Sequence, residues 1–291
     1  MLSYILFKLL QIKYSLFYLV FRNTVVINAC FKANRLSLLD ENWGDDINIV
    51  LPYLISHKIV IPYNVVFKSI RRRFSNNVMC VGSIIQWQTN ENSIIWGSGA
   101  VSDEIPLLQK PKMVLAVRGP LTRLYLLKQG VDCPEIYGDP ALLFPKYYHA
   151  YVSKKYKVGI IAHKIDQKNE VVIKLIKQLD AIVIDISHYH KDWKFFIDSI
   201  NECEFVLSSS LHGLIVSEAY GVPNKWVKFS ENIIGGNFKY NDFYQSIGKF
   251  DEHPLILNLN NIDKINIKKL KNNWKSTAID TRKLLDSCPF K

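Results

Sequence analysis

Two short segments of this 291-residue chain combine residue types suited to holding anions and moving protons. In the first, an apolar run from Val114 ends at Arg118, and Gly119-Pro120-Leu-Thr122-Arg123 opens a helix. Proline at the first helical position gives up no hydrogen bond. The unpaired amides of such a helix start attract negative charge, and Arg118 adds a forked, permanently charged donor. A phosphate or carboxylate fits there; the bland alternative is that Arg118 pairs with a nearby acid such as Asp139. The second segment, Glu204 to Gly213, again ends an apolar run, now with Ser208-Ser209-Ser210-Leu211-His212-Gly213. Serines cap helix starts, so His212 falls in the first turn. The helix dipole there disfavours imidazolium, whereas a bound phosphate favours it. His212 is thus a candidate to exchange a proton with substrate. Gly213 allows close approach of a backbone or ligand, and Ser209 and Ser210 are either ligands or caps.

Smaller features point the same way. Asn42-Trp-Gly-Asp45-Asp46 opens a helix, where Asp45 or Asp46 either caps it or points into a cleft as general base for a sugar hydroxyl. Gly97-Ser-Gly99 is a glycine turn after a strand, without the third glycine of a dinucleotide fingerprint. His163 and Lys164 follow a strand, and Lys239 sits in a glycine-rich loop able to close over an anion. No P-loop, H-E-x-x-H or G-x-S-x-G motif occurs, which argues against NTPase, zinc protease and serine hydrolase chemistry.

The elements that must position these residues alternate strand with helix, the pattern of parallel α/β sheets. Strands are expected at Val25–Ala29, Val78–Gly82, Ser93–Trp96, Met113–Val117 and Glu135–Tyr137, with helices at Asp45–His57 and Pro120–Gln129. After a connection at Lys146–Lys155 the pattern restarts. Strands are expected at Lys157–Ala162, Ala181–Ile186, Glu204–Leu207 and Lys225–Phe229, with helices at Lys168–Leu179, Lys191–Glu202, Leu211–Tyr220 and, at the end, Ile265–Ser287. This implies two Rossmann-like domains, 23–150 and 151–291, with a cleft between them where strand ends point. The formal charge of +11 suggests an anionic partner. Arg71-Arg72-Arg73 beside Phe74 reads as a solvated or lipid-facing patch, because no nucleic-acid fold accompanies it. Five scattered cysteines without a C-x-x-C pair fit reduced thiols in the cytoplasm rather than a zinc site. Residues 1–22 form an amphipathic helix with Tyr4, Lys8, Gln11, Ser15, Tyr18 and Arg22 on one side. It is expected either to lie in the inner face of a membrane or to pack on the protein's own core.

In family order, six of these segments resemble the polysaccharide pyruvyltransferases. They are Asn42-Trp-Gly-Asp45, Trp96-Gly-Ser-Gly99, Arg118-Gly-Pro-Leu-Thr122, Gly138-Asp-Pro-Ala141, Ser209-Ser-Leu-His212-Gly213 with Ala219-Tyr-Gly-Val-Pro223, and Lys239-Tyr-Asn-Asp-Phe-Tyr244. The resemblance implies a GT-B-like arrangement, phosphoenolpyruvate as donor, a glycan or lipid-linked oligosaccharide as acceptor, and a pyruvate ketal as product, with no cofactor or metal. It implies Arg118 on the donor's anionic groups, His212 near its phosphate and Asp45 at the acceptor hydroxyl. Asn42, Gly97, Gly99, His163, Lys164, Ser209, Ser210, Gly213 and Lys239 are the further expected substrate contacts. Many members carry Arg where this chain has Ser210, so Lys164 or Lys239 is expected to supply that charge. The rival readings are a nucleotide-sugar glycosyltransferase of the same fold type, for which Glu218 is the candidate ribose ligand, and a non-catalytic glycan assembly factor at the membrane.

Overall fold

A computed structural model describes residues 2–31, 42–190 and 192–291, and contains two all-parallel sheets of five strands each. The first half runs α1 (Leu2–Val20), β1 (Thr24–Ile27), α2 (Trp43–Ser56), β2 (Ile59–Pro62), α3 (Lys68–Arg71), β3 (Asn77–Met79), α4 (Ile85–Gln88), β4 (Ser93–Trp96), β5 (Met113–Ala116) and α5 (Pro120–Lys128). A 3-10 turn at Pro140–Leu143 and α6 (Phe144–Tyr147) lead into the second half. It comprises β6 (Gly159–Ile161), α7 (Glu170–Leu179), β7 (Ile182–Val183), α8 (Trp193–Asn201), β8 (Val206–Ser208), α9 (Leu211–Ala219), β9 (Asn224–Lys228), α10 (Phe238–Ser246), β10 (Leu255–Ile256), α11 (Ile267–Asn273) and α12 (Arg282–Asp286).

The sheet orders are β2-β1-β3-β4-β5 and β10-β9-β8-β6-β7. Read by order of appearance, each half has its first strand flanked by its second and third. The winding direction therefore reverses beside β1 and β3 and beside β6 and β8, and ligands of such sheets bind beyond the strand ends at that reversal. The central strands β3, β4, β6 and β8 are buried at every residue, as expected of sheets covered on both faces.

Several expectations need correction. The strand at Glu135–Tyr137 is a single bridge between Val117 and Tyr137. Two edge strands are additional to those expected: β10 has only two residues, and β2 follows α2 so closely that its apolar run continues that of the helix. The loop around Lys239 winds into α10. The long C-terminal helix is two short ones, because tertiary anchors outweigh its periodicity. The Trp274 indole donates to Glu218 at 3.1 Å, and beyond it the chain crosses to the first sheet. There the Trp96 indole donates to the Leu284 carbonyl at 2.9 Å and its ring meets Phe290. Lys191, the expected start of one helix, lies outside the described residues.

An aromatic joint ties the two halves together. Trp43, at the start of α2, donates through its indole N–H to the Trp193 carbonyl at 2.9 Å and packs on Phe196 and Phe144. Residues of both sheets belong to one continuous apolar core. At the N-terminus, α1 packs by one side only: Leu10, Gln11 and Ser15 are buried, and Ser15 Oγ accepts from the Phe67 amide at 3.1 Å. No described helix is long and apolar enough to cross a membrane.

Candidate active site

A cavity of about 270 Å³ lies at the strand ends where both sheets reverse direction. The second half contributes His163 and Lys164 after β6, Ser210 and His212 at the start of α9, and Lys239 at the start of α10. The first half contributes Asn42 and Asp45 from the start of α2, and Gly82 and Ser83 after β3.

His212 is held by a close backbone contact. A Cβ on Gly44 would lie 1.9 Å from its Nδ1, so the imidazole rests directly on the glycine that follows the aromatic joint. Its Nε2 is buried and meets no hydrogen-bond partner among the described residues. Burial, then the charges of Lys239, Arg118 and His163, bring its pKa down to about 3, so the ring is neutral at pH 7. His163 is likewise lowered to about 4, by burial and then by Lys239. Lys239 comes down to about 8, through burial and then the neighbouring Arg118. No carboxylate among the described residues forms an ion pair with Lys239; its Nζ lies 5.4 Å from the Tyr240 ring centre.

The start of α2 is fixed by its own side chains. Asn42 Oδ1 accepts from the Gly44 amide at 3.2 Å, capping the helix, while its Nδ2 donates to Asp45 at 2.9 Å. Asp46 takes the internal role: it accepts from the Asn42 amide at 3.2 Å and from the Tyr189 hydroxyl. One helical turn on, buried Asn48 clamps both backbone groups of Val81, at 3.0 and 3.1 Å, and so fixes the loop bearing Gly82 and Ser83.

Arg118 is placed differently from expectation. It is fully buried and does not line the cavity. Its Nε donates to Asp242 at 2.9 Å, its Nη2 to the Ala100 carbonyl at 2.6 Å, and its Nη1 to Ser83. The start of α5 is occupied as well: Asp242 accepts from the Thr122 amide at 2.8 Å and the Thr122 hydroxyl at 2.7 Å. The anion at this helix start is the protein's own carboxylate, and it comes from α10 rather than from Asp139. Asp139 instead caps the turn at Ala141, and burial raises it to about 6.

Three expected glycine contacts are packing positions outside the cavity lining. A Cβ on Gly99 would meet the Arg118 guanidinium at 2.3 Å, one on Gly97 the Pro140 ring at 2.4 Å, and one on Gly213 the Ser208 hydroxyl at 2.5 Å. Ser209 is also out of the cavity. Its Oγ accepts from the His163 amide at 2.9 Å and its carbonyl from the Tyr240 hydroxyl at 2.7 Å, linking three cavity-bearing segments. Ser210 lines the cavity, and its side chain does not cap α9. Glu218 is buried away from the cavity, accepting from Lys249 at 2.7 Å and Asn224 at 3.0 Å. Sequence reasoning missed Gly44, Asn48, Ser83 and Asp242. Of these, Gly44 and Asp242 sat inside recognised segments, but only the fold shows what they touch. Among the described residues no group of three or more His, Cys, Asp or Glu is placed to hold a metal ion.

Comparison with known proteins bears on this arrangement. The sequence model described as Polysaccharide pyruvyl transferase matches residues 42–227, from the Asn42 cap to near the end of β9. Uncharacterized protein L143 of Acanthamoeba polyphaga mimivirus is 27% identical over 218 residues, 72% of each chain. The succinoglycan biosynthesis protein ExoV of Rhizobium meliloti is 25% identical over 217 residues, which cover 71% of this chain and 62% of ExoV. The matched region holds the joint, the α2 start, the strand ends and His212, and the chain belongs to the polysaccharide pyruvyl transferase family of enzymes.

Proposed function

We propose that the cavity binds phosphoenolpyruvate and transfers its pyruvyl group to a sugar of a polysaccharide or its lipid-linked precursor, forming a ketal and releasing phosphate. The observation that carries this reading is the unpartnered Nε2 of His212, at a helix start beside Lys239 and His163 and across from Asp45. A small ligand bearing both phosphate and carboxylate suits such a set, in which cationic and amide donors outnumber acids. The same surroundings support a cleft between two Rossmann-like halves in a GT-B-like arrangement.

The chemistry follows from protonation states. In the resting protein His212 is neutral, because burial and then the nearby positive charges resist its protonation. A bound dianion reverses that balance, so His212 takes up a proton as the donor binds. Delivery of this proton to the methylene carbon gives an oxocarbenium-like centre at C2. Asp45 removes the proton of an acceptor hydroxyl as its oxygen bonds to C2. The C2–O bond to phosphate then breaks, the phosphate leaving with the electron pair, and a second hydroxyl of the same sugar bonds to C2 and loses its proton. Lys239 and the amides of α9 stabilise the leaving charge. Arg118 acts from behind, holding Ser83 at the cavity wall, and is a positioning residue. Glu218, the ribose ligand that a nucleotide-sugar enzyme would need, is committed to Lys249 and Asn224 outside the cavity.

The test is phosphate release from phosphoenolpyruvate in the presence of a lipid-linked oligosaccharide extract, with the pyruvylated glycan identified by mass. Release that depends on the acceptor and disappears in His212→Ala is expected. Release of nucleoside diphosphate from a nucleotide sugar, with none from phosphoenolpyruvate, would overturn the reading.

A further inference from the structure

The N-terminal helix carries its polarity the wrong way round for a soluble surface. Gln11 and Ser15 face the protein and are buried, whereas Ile5, Leu9, Ile12, Leu16 and Leu19 are each 44–52% exposed. Their successive spacings of four, three, four and three residues place them in one stripe. Lys8 and Lys13 fall on either side of it, and exposed Tyr4 and Phe21 stand near its two ends.

Charge is segregated onto the same part of the molecule. Residues 1–39 and 47–90 contain no Asp or Glu at all. Exposed Lys68, Arg72 and Arg73 lie on and after α3. That segment is fastened to α1 by the Phe67 amide on Ser15 and by the edge contact of Tyr18 with Phe74 at 4.6 Å.

We propose that α1 and α3 together form a seat for an anionic bilayer surface. The apolar stripe of α1 enters the headgroup boundary while the neighbouring Lys and Arg meet lipid phosphates. This goes beyond the reading of the cavity and stands whether or not that reading holds. An apolar stripe beside basic residues is the composition of a helix lying in the membrane plane, and aromatic residues near its ends suit the interface. The four-three spacing would also serve a seam between two helices. Charge decides between them: a second copy would set the Lys and Arg of α1 and α3, elements with no acid of their own, against one another, whereas anionic lipid neutralises them.

The experiment is flotation of the full chain with vesicles, either of phosphatidylcholine alone or of equal parts phosphatidylcholine and phosphatidylglycerol. Binding to the mixed vesicles is expected, with much weaker binding to the neutral ones. Each basic residue near an anionic surface contributes about five-fold in affinity, so Arg72→Gln with Arg73→Gln should weaken binding about 25-fold. Leu9→Glu with Leu16→Glu should abolish it and leave the circular dichroism spectrum unchanged, because both side chains point away from the core. Failure of the wild-type chain to float with the mixed vesicles would overturn the proposal. So would a dimer in sedimentation velocity that Leu9→Glu with Leu16→Glu converts to monomer, since the stripe would then belong to a second copy.

Discussion

The starts of α5 and α9 are written alike in the sequence and used in opposite ways. Each follows an apolar strand, each offers free amides, and each has a basic or titratable side chain within two residues of the first turn. At α5 the protein supplies its own anion: Asp242 reaches across from α10, takes the Thr122 amide and hydroxyl, and pairs with Arg118 at 2.9 Å. At α9 the Ser210 side chain does not cap the helix and lines the cavity, and Nε2 of His212 meets no partner among the described residues. The first helix start is thereby a strut joining the halves, and the second is a place for a ligand. An anion-attracting helix start is thus a local property; whether it binds substrate depends on which distant carboxylate the fold brings to it.

The contrast predicts different failures at the two ends. Removing Arg118 or Asp242 leaves a buried charge without its partner, which typically costs about 3–5 kcal/mol. Arg118→Ala and Asp242→Ala should therefore both lower the urea midpoint sharply, with activity lost because the chain unfolds. A midpoint within error of wild type would break the strut assignment. His212→Ala should leave the midpoint nearly unchanged and cut turnover by about 10²–10⁴-fold, the usual contribution of a general acid or base. Gly44→Ala should match that loss, since its Cβ would occupy the space of the imidazole. If Gly44→Ala were fully active, His212 could not be working from the position it holds.

Lys239 offers a sharper, smaller test of the same end. It forms no ion pair with a carboxylate among the described residues, and its role in the proposed reaction is to meet the donor's charge. Loss of one hydrogen bond to a charged group is worth about 1.5–3 kcal/mol. Lys239→Ala should accordingly raise the KM for phosphoenolpyruvate at least ten-fold, with less effect on kcat. An unchanged KM would leave the missing charge of the Ser210 position to Lys164.

Much of this was legible in the sequence because it is local. Strand runs, the Asn42 cap, Pro120 at a first turn and the serines before His212 each announce themselves within a few residues. The two repeats of strand and helix foretold two parallel sheets, and the strand ends foretold where His163 and Lys164 would stand. What stayed hidden depends on residues far apart. Arg118 and Asp242 are 124 positions apart, and Asp242 lies just past the glycine-rich loop, in a stretch for which no helix is expected until α10 is seen. Gly44 looks like a helix-start glycine, and its need to be glycine comes from the imidazole of His212, far along the chain. The C-terminal helix departs from its periodicity for a related reason: the pattern is real, but Trp274 and Leu284 are claimed by separate partners.

The mildest consequence of the open helix start is a dependence of stability on pH. His212 and His163 are held near 3 and 4 in the folded chain, against about 6.5 for an exposed histidine. Between those limits the unfolded chain binds protons that the folded chain does not. Stability is therefore complete above about pH 6.5 and declines as the pH falls toward 4. A bound anion opposes the decline, because it favours the imidazolium form in the folded state. Urea unfolding at pH 7.5, 6 and 5 should show a falling midpoint for the wild type and a flatter course for His212→Gln with His163→Gln. Added phosphoenolpyruvate should restore more stability at pH 6 than at pH 7.5 for the wild type alone. Equal slopes for both proteins would mean that the two imidazoles are not held neutral by the cavity, and with that the proton uptake on donor binding would go too.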